Sequence, residues 1–205
     1  MAFAADRDVL ALEPNVFRDV VFDAQRRLTL TDGVVAGSVL SSLSVDFEEA
    51  GVGAGSVVLV SDHAYEVVER LSATSLSLSR LRDDRGGAVI PVPSGTGQSV
   101  RVHTFAPQID DAHGRVVRGL GITNESAVID VDAGLIRLEA MGALQAVFAA
   151  AANEAAAHDP LWSRALHYGD RFNRELRRLS VGLDTNGDGS VDAAARAQPA
   201  RLVRE

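Results

Sequence analysis

The segment that comes closest to a chemical site is the run from Asp184 to Asp192, which reads Asp-Thr-Asn-Gly-Asp-Gly-Ser-Val-Asp. Oxygen-bearing residues recur at alternate positions, and a curled loop points such oxygens toward a hard cation. The candidate calcium ligands are Asp184, Asn186, Asp188, Ser190 and Asp192. An EF-hand loop has a bidentate glutamate at its twelfth position, where this chain has Ala195. Two interpretations stay open: a short calcium loop, or an Asx-rich turn that binds nothing.

A second set of side chains suits contact with a partner. Arg164, Arg171, Arg174 and Arg178 are seven, three and four residues apart, so a helix places them on one face. The segment 161–182 carries five arginines against two carboxylates, in a chain whose net charge is −8. The pattern leaves open a solvated face, a contact with an acidic neighbouring subunit, and a contact with DNA phosphate.

The composition excludes several kinds of catalytic site. The chain has no cysteine, and all 20 of its basic residues are arginine, so thiolate and lysine chemistry are impossible. We find no pair at helical metal-ligand spacing among the five histidines, His63, His103, His113, His158 and His167. Neither a serine nucleophile elbow nor a dinucleotide-binding glycine motif is present. We therefore expect a protein that is not an enzyme, with no cofactor other than possible calcium.

Two halves with different hydrophobic periods must position these residues. Residues 28–106 contain short alternating or β-branched runs separated by glycine and proline, which predicts a small β-barrel or sandwich. Residues 107–182 change to helical spacing. The expected fold class is α+β, with a β module followed by an α-helical module. Residues 1–27 form an N-terminal segment, and residues 183–205 hold the Asp/Gly loop and a C-terminal docking tail.

Particular helices and turns follow from local patterns. We expect helices over 15–27, 107–119 and 132–157, the last apolar almost all round and therefore buried on several sides. Asp159 and Pro160 predict an N-cap and a first-turn proline for a further helix. The apolar stripe of that helix comprises Leu161, Trp162, Ala165, Tyr168, Phe172, Leu176 and Leu179. In the β module, Asp32-Gly33 predicts a tight turn after a strand at 28–31.

We expect no membrane association and no tight binding to duplex DNA. The longest apolar stretch, 140–152, is interrupted by Gln145 and is shorter than a bilayer span. The N-terminus lacks the charged leader and apolar run of a secretory signal. A pI near 5.1 is unlike that of a duplex-binding domain, although like charge would let DNA pass without sticking.

Several phrases of the sequence resemble those of neck proteins from tailed bacteriophages. They are Asp-Arg-Asp-Val-Leu-Ala-Leu-Glu-Pro-Asn-Val-Phe at 6–17, Gly-Ser-Val-Val-Leu-Val at 55–60, Tyr-Glu-Val-Val at 65–68, Thr-Phe-Ala-Pro-Gln-Ile at 104–109, Leu-Glu-Ala-Met-Gly-Ala-Leu at 138–144 and Leu-Asp-Thr-Asn-Gly-Asp-Gly at 183–189. Together they are spread over most of the chain.

The resemblance implies a structural virion protein, a head–tail connector or adaptor subunit. Such a subunit would form a ring of twelve copies below the portal and link the capsid to the tail. Its partners would be the portal protein, tail or nozzle proteins, further copies of itself, and DNA passing through the channel without sequence-specific recognition. It would reach the virion neck after assembly in the host cytoplasm. Docking would use the arginine face together with Pro199, Arg201, Leu202 and Val203. The alternative is a calcium-dependent binding module of a phage tail or baseplate.

Overall fold

The computed structural model describes residues 2–122, 124–125, 128, 131, 133–152 and 159–197. The chain divides into two compact units, Ala5–Ala106 and Met1–Ala4 with Pro107–Glu205, here called the barrel unit and the helical unit. The fold class is α+β, a closed six-stranded barrel followed by a helical module, which confirms the prediction.

The barrel consists of antiparallel strands that follow the order β1-β2-β5-β4-β3-β6 and close through β1 and β6. The strands are β1 Arg26–Ala36, β2 Val39–Ser41, β3 Val57–Val60, β4 His63–Ser72, β5 Ser75–Ser79 and β6 Gly95–His103. Alternate residues point inward, as Leu76 and Leu78 do on β5, and both are fully buried. They join a core of valine, leucine, Phe47 and Tyr65 side chains inside the barrel.

The predicted tight turn at Asp32-Gly33 is wrong, because β1 runs straight through it. Pairing with β6 shifts register between Leu30 and Gly33, which is the mark of a bulge. A β-carbon on Gly33 would lie 2.7 Å from a methyl of Val100 on β6. The glycine therefore permits close approach of two strands, and the turn comes later, at Gly37 and Ser38, which both have positive φ.

The N-terminal segment differs from its prediction. The structure has a helix α1 at Asp6–Leu12, a single turn α2 at Val16–Asp19 and a 3-10 turn at Asp23–Gln25, where the sequence favoured one helix over 15–27. The chain becomes extended at Val20, which lets the β-branched side chain bury itself. From Ala5 onward this segment belongs to the barrel unit.

Three helices form the body of the helical unit: α3 Ala106–Leu120, α4 Ala133–Ala151 and α5 Pro160–Arg178. All three were predicted, although the expected last turn of the middle helix, 153–157, lies outside the described residues. Burial of α4 on several sides is confirmed, since Leu135, Met141 and Phe148 are all at most 1% exposed. A β-carbon on Gly142 would lie 2.8 Å from the Ala112 methyl of α3 and 2.9 Å from the Phe172 ring of α5.

The start of α5 matches its prediction in one respect and departs from it in another. The Asp159 carboxylate accepts the Leu161 N–H at 2.7 Å, and Pro160 occupies the first turn. Trp162, however, is 43% exposed instead of buried. The buried stripe runs through Ala165, Tyr168 and Phe172, and the 100° step of a helix puts Trp162 at its edge.

After α5 the chain forms a hairpin that the sequence did not indicate. Strands β7 Ser180–Leu183 and β8 Ala193–Arg196 pair antiparallel, with Val181 opposite Ala195, and both of these side chains are buried. The candidate calcium loop is the connection between the two strands.

In the described part of the chain, one helix, α4, has the length and apolar composition to cross a membrane. Of its most apolar window, 56% is buried inside the structure, as in the core helix of a folded domain.

Candidate functional site

The loop between β7 and β8 is closed by its own hydrogen bonds. One oxygen of Asp184 accepts the Gly187 N–H at 2.6 Å and the other accepts the Gly189 N–H at 2.8 Å. Both glycines have φ near +80°, the left-handed conformation that suits glycine. The donated hydrogen bonds, that from Gly189 foremost, lower the pKa of Asp184, so this carboxylate is ionised at neutral pH.

The other candidate ligands lie in the same loop, and three of them, Asn186, Asp188 and Asp192, likewise accept amide hydrogens. Asn186 accepts the Asp188 N–H at 2.9 Å, Asp188 accepts the Ser190 N–H at 2.8 Å, and Asp192 accepts the Thr185 N–H at 3.0 Å. Among the described residues no three His, Asp or Glu side chains converge in a way that could hold a metal ion. The loop contains oxygen-bearing side chains in the predicted order, and calcium binding stays a prediction.

The arginine face of α5 is where the sequence placed it. Arg174 and Arg178 are exposed, Arg171 is half-buried, and Arg177 adds a further exposed guanidinium. Arg174 pairs with Asp170 one turn earlier at 2.7 Å, and Arg164 lies over the Phe148 ring at 5.4 Å. An exposed pair of this kind contributes at most about 1 kcal/mol to stability. The remaining candidates, Pro199, Arg201, Leu202 and Val203, lie outside the described residues.

A buried ionic cluster in the barrel unit was not found from the sequence. Glu66 of β4 is fully buried and accepts hydrogen bonds from the guanidinium groups of Arg7, at 2.5 Å, and Arg82. Arg7 also donates to the Arg82 carbonyl at 2.6 Å, and Arg82 donates to the Gly87 carbonyl at 2.7 Å. Every charge has a partner, as burial requires, so the cluster fastens α1 and the 82–87 segment to the barrel.

Two further buried groups of the barrel unit have shifted pKa values. Burial raises the pKa of Asp6 to about 6, against the opposing hydrogen bond from the Phe105 N–H at 2.8 Å. Burial, helped by the nearby Arg101 charge, lowers the pKa of His103 to about 4. The His103 ring packs against both Phe17 and Phe105, whose rings also contact each other. Both groups are therefore held in an environment that disfavours their charged forms.

Among the described residues of the helical unit, the carboxylate of Glu139 on α4 is buried. It accepts the Phe3 and Ala4 N–H groups at 2.8 Å each and contacts His113 Nδ1 at 2.6 Å. The Phe3 ring meets the His113 ring edge-on, with centroids 5.1 Å apart. These contacts attach residues 3–4 to α3 and α4, and they account for a buried carboxyl group in a helix that is mostly apolar.

A groove of about 430 Å³ opens on the barrel unit beside the β3–β4 turn. Its lining combines apolar side chains with charged and polar ones; among them are Leu10, Tyr65, Leu81, Arg18, Arg80, Asp62 and His63. The turn itself, Ser61-Asp62, has positive φ at both residues and is tied to β6 by the Asp62–Arg101 ion pair.

No protein family, curated protein or solved structure matches this chain in sequence or fold comparisons.

Proposed function

We propose that this chain is a structural, noncatalytic assembly subunit, and specifically a head–tail connector of a tailed bacteriophage. In this role, copies form a ring below the portal and link the capsid to the tail. The observation that carries the proposal is the exposed side of α5, which has solvent-facing Trp162 and Leu166 in its first half and the exposed guanidinium groups of Arg174, Arg177 and Arg178 in its second half.

Charge distribution supports a protein partner for this face. The chain is acidic overall, yet the helix 160–178 carries five arginines and two carboxylates. Guanidinium groups bind carboxylates in paired hydrogen bonds, and arginine and tryptophan are enriched where interfaces gain most of their free energy. Two large apolar side chains on one exposed helix face are costly in water unless a partner covers them.

The setting of α5 also supports a docking role. Its buried side packs on α4, and Phe172 fills the space that Gly142 leaves open. A surface carried by a packed helix loses little conformational entropy when a partner binds. DNA phosphate is the competing partner, and the overall negative charge disfavours it.

The direct test is binding to a purified portal protein, measured by co-sedimentation. We expect the full chain to bind and a variant with Arg174→Glu and Arg177→Glu to lose binding. A matched control is Arg80→Glu, which reverses an exposed arginine on the barrel unit. Truncation after Ala197 should also prevent docking, because the proposed tail residues are removed while β8 is kept. A chain that neither self-associates nor binds the portal contradicts the proposal.

A second candidate is a calcium-dependent binding module, favoured by the ionised Asp184 and the two left-handed glycines of the β7–β8 loop. It predicts that calcium raises the melting temperature and that Asp184→Ala and Asp188→Ala abolish this increase. Ser163→Ala, an exposed change on α5, is the control. Identical melting curves with calcium and with a chelator remove this candidate.

A further inference from the structure

The most exposed large apolar side chain of the barrel unit is Leu43, at 95%. It lies between β2 and β3, in the segment 42–49, which we call the acidic loop. A leucine side chain left in water loses the stabilisation that burial would give it. An isolated exposed leucine is common, but this one lies on a loop whose conformation is fixed from both sides.

Hydrogen bonds hold the first half of the acidic loop. Asp32 accepts the hydroxyls of Ser42 at 2.9 Å and Ser44 at 2.8 Å, so the residues on either side of Leu43 are tied to β1. The Ser42 N–H also donates to the Thr74 carbonyl at 3.1 Å. Leu43 is therefore presented to solvent by an ordered backbone.

The second half is anchored by burial. The Phe47 side chain is fully buried in the barrel core, and its N–H donates to the Ala73 carbonyl at 2.6 Å. Asp46 accepts the N–H groups of Glu48 and Glu49 at 2.7 and 3.0 Å. Because the loop is already ordered, little conformational entropy is lost when a partner binds it.

The acidic loop and the β1 residue Asp32 that holds it carry negative charge. Between residues 32 and 51 the chain has four carboxylates, on Asp32, Asp46, Glu48 and Glu49, and no arginine. Hydrogen bonds from Ser44 and Ser42 lower the pKa of Asp32, which keeps it ionised. Arg70 reaches Glu48 at 3.3 Å and balances one of these charges.

The side of α5 that carries Trp162, Leu166 and Arg177, here called the α5 face, is complementary to the acidic loop in apolar surface and in charge. Leu166 is 59% exposed and lies one turn after Trp162. Arg177 falls three turns further along nearly the same line of the helix, since eleven residues bring the helix back to within about 20°. Asp170, one turn after Leu166, is paired with Arg174 at 2.7 Å, so the charge that this line of the helix adds beyond that ion pair is the Arg177 guanidinium. The line combines an apolar patch with a positive charge, whereas the acidic loop combines Leu43 with negative charge.

We infer that the acidic loop of one copy docks on the α5 face of a second copy, with Leu43 against Leu166 and Trp162 and with Glu49 facing Arg177. The inference rests on the proposed assembly function and names the contact that builds the ring. Two α5 faces repel each other, as do two acidic loops, so the contact is head-to-tail. Head-to-tail contacts between identical subunits produce rings when the rotation closes.

Because the chain has no cysteine, an introduced cysteine is the only thiol that a crosslinker can react with. Single variants Leu43→Cys and Leu166→Cys are mixed in equal amounts and treated with a short bifunctional maleimide. We expect a covalent dimer from the mixture and little from either variant alone. Leu71→Cys on β4, with a half-exposed side chain, replaces Leu43→Cys in the control mixture and should give little product.

Charge reversal then tests whether the contact is specific. Adding Arg177→Glu to the Leu166→Cys variant should lower the dimer yield several-fold, and pairing it with Leu43→Cys that also carries Glu49→Arg should restore the yield. Neither arginine nor glutamate is buried here, so both variants should fold.

The outcomes separate this inference from the proposed function. If the chain assembles or binds the portal but Leu43 and Leu166 do not crosslink, the contact assigned here is wrong and the connector proposal stands. Equal crosslinking in the control mixture, or no effect of charge reversal, also overturns the contact. Crosslinking with rescue supports the contact even if the portal is not bound, and the connector proposal is then the part that fails.

Discussion

Two arginines of the barrel unit, Arg7 and Arg82, and the exposed arginines of α5 are the same side chain in opposite settings. Arg7 and Arg82 are at most 8% exposed; Glu66 pairs with both of them, and Asp8 is a second carboxylate partner of Arg7 at 3.1 Å. Arg174, Arg177 and Arg178 on α5 point into solvent, with one intrahelical ion pair among them. The buried arginines bind groups of their own unit, whereas the exposed arginines of α5 can contact a partner.

This difference teaches that charge alone does not mark a binding surface. The barrel unit has fourteen acidic residues and nine arginines, and these counts do not show which of the arginines are exposed to a partner. Burial distinguishes the two sets of arginines, because stability falls much more when a buried charge loses its partner than when an exposed charge does. The effects of matched substitutions should therefore differ sharply between the two settings.

The largest effect is expected for Glu66→Gln. The change removes the carboxylate that Arg7 and Arg82 share. Arg7 keeps Asp8 at 3.1 Å, but the buried Arg82 loses its counter-charge, which should lower the free energy of unfolding by about 3–5 kcal/mol. Glu48→Gln removes an exposed partner of Arg70 and should cost less than about 1 kcal/mol. Urea denaturation of both variants makes the comparison. Equal losses would mean that the buried cluster is not the fastening that the structure indicates.

The next effect concerns pH. The folded pKa of Asp6, about 6, lies above its ordinary value of 3.8, so its contribution to stability is present below pH 4 and is lost as pH rises through 6. The folded pKa of His103, about 4, lies below its ordinary value of 6.5, so its contribution is present above pH 6.5 and is lost as pH falls through 4. Between these limits the two slopes oppose each other.

Asp6→Asn should reveal the histidine slope. Each shift corresponds to at most about 3 kcal/mol, so the variant should gain stability relative to the wild type at pH 8 and should become steadily less stable as pH falls below 6.5. Denaturant midpoints measured from pH 4 to pH 8 give the two profiles. A variant whose profile keeps the wild-type slope would show that Asp6 does not bind a proton in this range.

A smaller loss is expected for Gly142→Ala in the helical unit. The added methyl meets Ala112 and Phe172, and overpacking of this kind costs about 1–3 kcal/mol despite the better helix propensity of alanine. Gly53→Ala is the control, since no atom lies within 4 Å of the new β-carbon there. Thermal melting compares them, and an unchanged Gly142→Ala variant would contradict the tight packing beneath α5.

The smallest effect on stability, and the sharpest contrast with Glu66, is expected for Arg174→Ala with Arg177→Ala. Both side chains are exposed, so the free energy of unfolding should change by less than about 1 kcal/mol. Binding to the portal or to further copies should nevertheless fall. A strongly destabilised double variant would mean that these arginines stabilise the fold, as Arg7 and Arg82 do.

Local pattern was enough for the regular elements but not for the charged interior. The alternation of Leu76 and Leu78 and the helical spacing around α4 predicted a β module and three helices correctly. The polar start of α1 gave no sign of burial, because its partners, Glu66 and Phe105, lie 59 and 99 residues away in the sequence. Such pairings depend on the tertiary fold, and a single sequence does not show them.

The same limit applies to the candidate surfaces. Helical spacing was sufficient to predict the arginine face of α5, since it depends on one element only. The exposure of Trp162 and Leu43 was not predictable, because it depends on how α5 packs on α4 and how Phe47 anchors its loop. Asp32-Gly33 was misread because a bulge and a turn favour the same residues.

The central claim is that this chain acts by assembling with copies of itself and with a portal. Its most direct test is the solution mass measured by light scattering over a wide range of concentration, alone and mixed with the portal protein. The account predicts a discrete species of several copies, either alone or on the portal. A particle of 21.6 kDa under all of these conditions would contradict it.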